Sequence, residues 1–283
     1  MNTEDSIVHN YVIDQDRQIE LRKKFNPDGS DIRKAQLRML DLLKFLDKIC
    51  KENKLEYWLD SGTLLGAARH GGFIPWDDDT DVCMMKEDAE KLKKIMQDKI
   101  WNGHIVLQSH DNDPYYYNPS WMTLRDTKSE YLLDESPHNK FKYKGLQIDI
   151  FIMEKEIPLH LLRLSRKLYN ALIISPLMNR HHLSFLQPLV PYNYKIINIV
   201  LHPIFNLFRH NSNKLSSGFG AMYLKIQEEN NIFPLEEIYF EGIKFKCPRR
   251  INEYLTNLYG EWQKLPTSEN INTHGVKFKI LDL

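Results

Sequence analysis

The sequence predicts an α/β fold of the α+β kind: a mixed sheet with flanking helices and a basic, helical insertion. Three observations predict it. Strand-like and helix-like patterns alternate between residues 32 and 153, as a mixed sheet with packed helices requires. From Pro158 the chain turns apolar, basic and helical, with breaks near Pro176, Pro188, Pro191 and Pro203. A polar, mixed segment returns after Gln227. The expected division is a core over 1–156 with an N-terminal lead-in, an insertion over 157–227, and a C-terminal part, 228–283, that completes the core.

The elements follow in order. The first 30 residues read as a loose lead-in ending in a turn at Asn26-Pro27-Asp28-Gly29-Ser30. Ile32 to Asn53 reads as a long amphipathic helix. Leu40, Leu43, Leu46 and Ile49 recur at helical spacing, and Ser30 or Asp31 can cap its start. Leu55 to Leu59 reads as a strand. Ser61-Gly62 turns the chain into a short helix, Thr63 to Arg69, closed by Gly71-Gly72. A strand is expected over Asp79 to Met84 and a helix over Glu87 to Ile100. Further strands are expected at Ile105 to Ser109, Trp121 to Arg125, Leu146 to Met153 and Ile243 to Cys247. A helix from Arg250 to Tyr259 should stop at Gly260.

The chain of 283 residues is 42% hydrophobic and 27% charged, which excludes disordered and collagen-like classes. Its 38 Lys and Arg balance 38 Asp and Glu, so the total charge does not point to nucleic acid, and no reader motif is present. The charge is unevenly spread. Ile157 to Gln227 holds no Asp or Glu but eight bases: Arg163, Arg166, Lys167, Arg180, Lys195, Arg209, Lys214 and Lys225. The remainder then carries 30 bases against 38 acids, an asymmetry that bears on partners. Cys50, Cys83 and Cys247 are odd in number and far apart, which excludes a disulfide framework. The polar, acidic start does not read as a secretory signal. No apolar run reaches the ~18 residues of a membrane span. The expected location is the cytoplasm.

Chemistry concentrates in one stretch. Asp77, Asp78, Asp79 and Asp81 fall within five residues. On a strand, Asp77, Asp79 and Asp81 would share one face. Like charges this crowded call for a cation, and carboxylate oxygens suit Mg²⁺ or Mn²⁺. The alternative is a solvated acidic turn. A calcium EF-hand is excluded because its sixth position, a Gly, is Val82 here. Upstream, Ser61-Gly62 offers a strand-to-helix turn whose N–H groups can approach a phosphate. Asp149 is a lone acid in the apolar run Leu146 to Phe151, and is the candidate third carboxylate.

The runs Leu59-Asp60-Ser61-Gly62-Thr63-Leu64-Leu65-Gly66-Ala67, Arg69, and Gly72-Phe73-Ile74-Pro75-Trp76-Asp77-Asp78-Asp79 resemble the signature of the LicD family almost residue for residue. That family includes phosphocholine transferases of bacterial surface glycans and is related to fukutin-type ribitol-phosphate transferases. Weaker similarity runs through Lys144 to Phe151, Phe240 to Pro248 and Tyr254 to Pro266. The resemblance leaves out the basic segment. It implies a nucleotidyltransferase-like sheet and transfer of a phospho-substituent from a CDP-activated donor, such as CDP-choline, to a hydroxyl of a glycan acceptor, free or lipid-linked. It implies Asp79 and Asp81 as Mg²⁺ (or Mn²⁺) ligands, with Asp149 as third ligand or general base. It sets Ser61, Gly62, Thr63, Arg69, Trp76, Asp77 and Asp78 against the donor. His274 is a further substrate-binding candidate, although the family's Pro-Pro-acidic run before such a His is Leu265-Pro266-Thr267-Ser268-Glu269 here.

Two softer signals remain. Trp58, Trp76, Tyr115, Tyr116, Tyr117 and Trp121 flank the motif, and aromatic faces bind quaternary ammonium groups such as choline. Leu161, Leu162, Leu164, Leu168 and Leu172 lie beside Arg163, Arg166 and Lys167, the pattern of a helix resting on an anionic membrane. Peripheral contact through 159–210 at the inner face is the expectation; a helical insertion packed on the sheet is the alternative. Asp79-Thr80-Asp81 also fits the Asp-x-Asp motif of nucleotide-sugar glycosyltransferases. A non-catalytic binding module is the third reading.

Overall fold

The structure is a computed structural model that describes residues 13–97, 99–132, 137–178, 180–209, 212–267, 271 and 277–281. Its strands, in chain order, begin with β1 (Trp58–Leu59), β2 (Asp81–Met85), β3 (Ile105–Gln108), β4 (Trp121–Asp126), β5 (Ser129–Leu132) and β6 (Gln147–Lys155). They continue with β7 (Lys214–Ser217), β8 (Ile226–Glu228), β9 (Glu236–Phe240), β10 (Ile243–Cys247) and β11 (Lys277–Ile280). The fold is the mixed α/β arrangement expected, a curled mixed sheet with flanking helices.

The main sheet runs β1-β2-β6-β4-β3, and β7 and β8 extend it from the far end of β6. β2 and β6 are parallel, with Asp81 opposite Asp149. The other pairings of this sheet are antiparallel. The parallel pair therefore sets two carboxylates side by side on neighbouring strands. Asp149 N–H closes the register on the Thr80 carbonyl at 2.9 Å.

The long helix Asp31–Asn53 covers this sheet. Met39, Leu43, Leu46 and Cys50 form its buried stripe, the three-and-four spacing that one apolar helix face demands. Ser30 caps it, its hydroxyl accepting from Arg33 N–H at 3.3 Å. The helix Ser61–His70 ends at Gly71, whose φ of 68° is left-handed, as a helix stop favours. The C-terminal hairpin β9–β10 and the helix Ile251–Tyr259 pack into the same core through Phe240, Phe245, Tyr254 and Leu255. Glu241 ties the hairpin down, paired with Arg33 at 2.6 Å and accepting from Phe73 N–H at 3.1 Å.

Several boundaries differ from the sequence reading. The expected loose lead-in contains a helix, Gln15–Phe25. Only Leu21 of that helix is buried, so its apolar pattern is too sparse to announce it. The strand expected from Leu55 is two residues long, and the helix expected to reach Ile100 stops at Met96. β2 starts at Asp81, so Asp77 and Asp79 sit in the irregular segment before it rather than on the strand. The strands β5, β7 and β8 are short and lack a clean alternation.

The basic stretch is helical over Leu159–Leu177 and Arg180–Asn206, passing through 3-10 and π-type turns. It builds a second apolar cluster in which Leu162, Tyr169, Ile173 and Tyr194 meet Tyr116 and Phe141. It then returns to the main sheet as β7 and β8.

Candidate active site

Three local features converge at the mouth of β2 and β6. β1 delivers Asp60, whose N–H bonds to the Asp81 carbonyl at 3.1 Å. The chain turns at Ser61, which holds a left-handed φ of 46°. A non-glycine residue in that region is strained. Here its hydroxyl donates to Asp60 at 3.0 Å and accepts from Lys225 at 2.6 Å. Gly62 follows, and its missing side chain makes room for a carboxylate: a Cβ there would lie 2.7 Å from Asp77 Oδ2. Thr63 Oγ1 then accepts from Asp81 N–H at 2.8 Å. The turn and the carboxylate strand are thus stitched together at consecutive residues.

The resulting cavity has a volume of about 850 Å³. Asp79, Asp81 and Asp149 line it together, with Ser61, Lys225 and Arg125. One wall is aromatic: Tyr117, Trp121, Phe151, Tyr223 and Tyr259. Trp121 and Tyr223 lie nearly parallel, 6.3 Å between centroids and 15° between planes.

The electrostatics show crowding. Burial and then the Asp79 charge push the Asp77 and Asp81 carboxyls well above the usual carboxylate range. A side-chain hydrogen bond with Asp79 adds to the rise at Asp77. Burial raises Asp149 to about 6, against the pull of Arg125. Thr123 Oγ1 donates to one Asp149 oxygen at 2.8 Å and Gln147 Nε2 to the other at 3.1 Å. Asp60 goes the other way. Burial alone would raise it, but Lys225 and the Tyr254 hydroxyl hold it below its ordinary value. Burial alone would lower Lys225, but Asp60, Cys83 and Asp81 together raise it and keep it charged.

Among the described residues, no three His, Cys, Asp or Glu side chains enclose a metal by themselves. The carboxylate set suits a more open arrangement. Mg²⁺ is commonly held by one or two carboxylates and completed by substrate phosphates and water. The crowding of Asp77, Asp79 and Asp81 marks the place where a cation would relieve repulsion.

The predicted residues divide. Asp79, Asp81, Asp149 and Ser61 line the cavity, and Gly62 and Asp77 pack behind it. Thr63 is buried on the Asp81 backbone. The Asp78 carbonyl accepts from the Tyr131 hydroxyl at 3.3 Å. Arg69 is buried and does not line the cavity. Its Nη1 donates to the Trp262 and Lys264 carbonyls, at 2.9 and 3.1 Å, and burial lowers its pKa to about 10. Trp76 packs edge-on to Phe25 and His70 on another face. His274 lies outside the described residues. Of the flanking aromatics, Tyr117 and Trp121 reach the cavity, whereas Trp58 and Tyr116 are core.

Lys225 is the residue the sequence reading counted only as one base among eight. Its one advance signal was indirect: Asp60, between a strand and a helix, needed a buried counter-charge. Nothing local says which base supplies it.

Comparison with known proteins adds an independent line. The family of LicD/FKTN/FKRP nucleotidyltransferase domains matches residues 54–250. The match runs through the basic segment that the motif resemblance left out. The lipopolysaccharide cholinephosphotransferase LicD of Haemophilus influenzae is 25% identical over 275 residues, 87% of this chain and 96% of that protein. An uncharacterized protein of Rickettsia prowazekii is 31% identical over 138 residues, 49% of this chain and 46% of its own length. The human ribitol 5-phosphate transferase FKRP is 49% identical over 41 residues, 14% of this chain and 8% of that protein.

Proposed function

Because the chain belongs to the LicD/FKTN/FKRP nucleotidyltransferase-domain family, we propose that it is a transferase for substituted phosphate groups. In this reading it moves phosphocholine from CDP-choline to a hydroxyl of a glycan. The observation that carries the reading is a single cavity in which three carboxylates face a buried lysine and an aromatic wall. The relative aligned over nearly its whole length is a cholinephosphotransferase, which favours choline as the cargo.

Each part has a task. The turn at Ser61 and the Lys225 ammonium receive the donor's phosphate oxygens, using charge-assisted hydrogen bonds. Trp121 and Tyr223 offer π faces to the trimethylammonium head. Asp79 and Asp81 would hold Mg²⁺, which when bound neutralises charge on the pyrophosphate and the departing CMP. The acceptor hydroxyl attacks the phosphorus that carries choline. The bond from that phosphorus to the bridging oxygen breaks, and CMP leaves with the bridging oxygen. The hydroxyl proton goes to Asp149. Its carboxyl, raised to about 6, is ionised at neutral pH yet basic enough to take a proton. Thr123 and Gln147 fix its orientation.

The test is CMP release from CDP-choline with a glycan acceptor and Mg²⁺, beside CDP-ribitol, CDP-glycerol and nucleotide sugars. Release from CDP-choline that is lost in Asp81→Asn is the expected result. Release from another CDP donor would change the cargo, and from a nucleotide sugar alone would replace the reading with a glycosyltransferase. Donor binding by the Asp149→Asn variant, without turnover, would separate the proton-accepting role from metal binding.

A further inference from the structure

The helical run from Arg180 to Asn206 is apolar on two opposite faces. Val190, Tyr194, Ile197 and Phe205 are buried in the second apolar cluster. Phe185, Leu189, Tyr192, Ile196, Ile199 and Leu207 recur at helical spacing on the other side and are exposed. The exposure is large: 72% for Phe185, 72% for Ile199 and 82% for Leu207. Between 184 and 208 the exposed positions carry three plainly polar side chains, Ser184, Lys195 and Asn198. A surface helix ordinarily turns charged residues to water on its outer face. Clustered apolar exposure of this kind marks an interaction surface.

Charge selects the partner. No Asp or Glu lies anywhere from 157 to 227. Lys195 stands on the exposed stripe, and Arg163, Arg166 and Lys167 are exposed on the preceding helix, Leu159–Tyr169. A second copy of the same face would set bases against bases. An anionic bilayer offers the complement, a negative headgroup layer over an apolar interior. Among the described residues no helix is long and apolar enough to cross a membrane, so the face would lie in the plane of the interface. The leucine-rich helix that first suggested membrane contact is placed otherwise: Leu162 is fully buried and only Leu159 and Leu164 of its leucines are exposed.

We propose that residues 185–208 form an in-plane docking surface for an anionic lipid bilayer. The surface is independent of the donor chemistry assigned above. The test is flotation of the full chain with vesicles of phosphatidylcholine alone or mixed with phosphatidylglycerol. The variant Phe185→Ser/Ile199→Gln/Leu207→Gln alters three side chains that touch little of the core, so its melting temperature should hold. The expected result is binding to the mixed vesicles, weakened by added salt and roughly tenfold or more weaker in the triple variant. Absence of wild-type binding to either vesicle would overturn the proposal, as would equal binding by the triple variant. So would a concentration-dependent dimer, seen by sedimentation, that the same substitutions abolish, since the face would then be a self-association surface.

Discussion

Lys225 and Asp60, 165 residues apart in the chain, form an ion pair that is buried beside the cavity. The other Asp60 oxygen accepts from the Tyr254 hydroxyl at 2.7 Å. Breaking a buried pair leaves an uncompensated charge, at a cost of about 3–5 kcal/mol. Lys225→Met should therefore lose about that much stability in urea unfolding, and donor binding with it. Asp60→Asn/Lys225→Met removes both charges and should recover most of the stability but not donor binding. Donor binding restored in the double variant would reduce Lys225 to a structural role.

His70 makes the fold acid-sensitive. Its Nε2 accepts from Arg69 Nε–H at 3.1 Å, and its Nδ1–H donates to Gln18 at 2.7 Å. Burial, then the Arg69 charge, lowers its pKa from 6.5 to about 3. The unfolded chain takes up its proton first, so stability present above pH ~6.5 is lost as pH falls toward 3. At pH 5 the loss is ~2 kcal/mol. His70→Gln keeps a donor and an acceptor but does not titrate. Its thermal stability should fall less between pH 7 and pH 5 than that of the wild type, and parallel curves would refute the assignment.

How much of this was legible depended on the range of the determining interaction. The helix Asp31–Asn53 and its Ser30 cap were readable because spacing and capping are local. Asp79, Asp81 and Asp149 were readable because acids are conspicuous among apolar residues. The alignment of Asp81 with Asp149 was not, since a parallel register is set by packing between strands whose paired residues lie 68 apart in sequence. Arg69 misled for the same reason. Its motif position suggested phosphate, but its Nη1 donates to the carbonyls of Trp262 and Lys264. Lys225 lay hidden because its partner is distant.

Gly62→Ala isolates the space behind the carboxylates. The new Cβ would meet Asp77 Oδ2 at 2.7 Å. That oxygen ends a short side chain, which can rotate away at small cost in stability. The rotation carries Asp77 off its hydrogen bond with Asp79. Little change in unfolding free energy, within about 1 kcal/mol, should accompany a fall in transfer of tenfold or more. Kinetics at saturating donor read the effect; a variant that melts early instead would mean the backbone, and not Asp77, gives way.

Tyr223 is exposed, yet it lies parallel to Trp121 at the cavity wall. Its removal should cost little stability. If the pair receives the choline head, Tyr223→Ala should raise KM for CDP-choline by roughly fivefold to thirtyfold, the range of about 1–2 kcal/mol for a cation–π contact. Turnover at saturation should change less. The KM for CDP-glycerol, whose head carries no charge, serves as the control. An equal rise for both donors would assign Tyr223 to the nucleotide.

The crowded carboxylates give the protein an unusual alkaline weakness in the absence of metal. Burial and then the Asp79 charge raise Asp77 and Asp81, and Asp149, raised mainly by burial, stands at about 6 against 3.8 unperturbed. A carboxyl whose folded pKa is the higher stays protonated in the fold after the unfolded chain has ionised. The unfolded state then binds fewer protons, so stability falls as pH rises from about 4 through about 6, and further for Asp77 and Asp81. The Asp149 share alone is ~3 kcal/mol. Asp79→Asn removes a charge that all three feel. In chelator its stability should decline less between pH 4 and pH 8, leaving it the more stable protein at the upper end. Mg²⁺ with CDP-choline should reverse the order, stabilising the wild type and not the variant. A variant as alkali-sensitive as the wild type would mean that desolvation alone raises these carboxyls, and that Asp79 adds no repulsion for a cation to relieve.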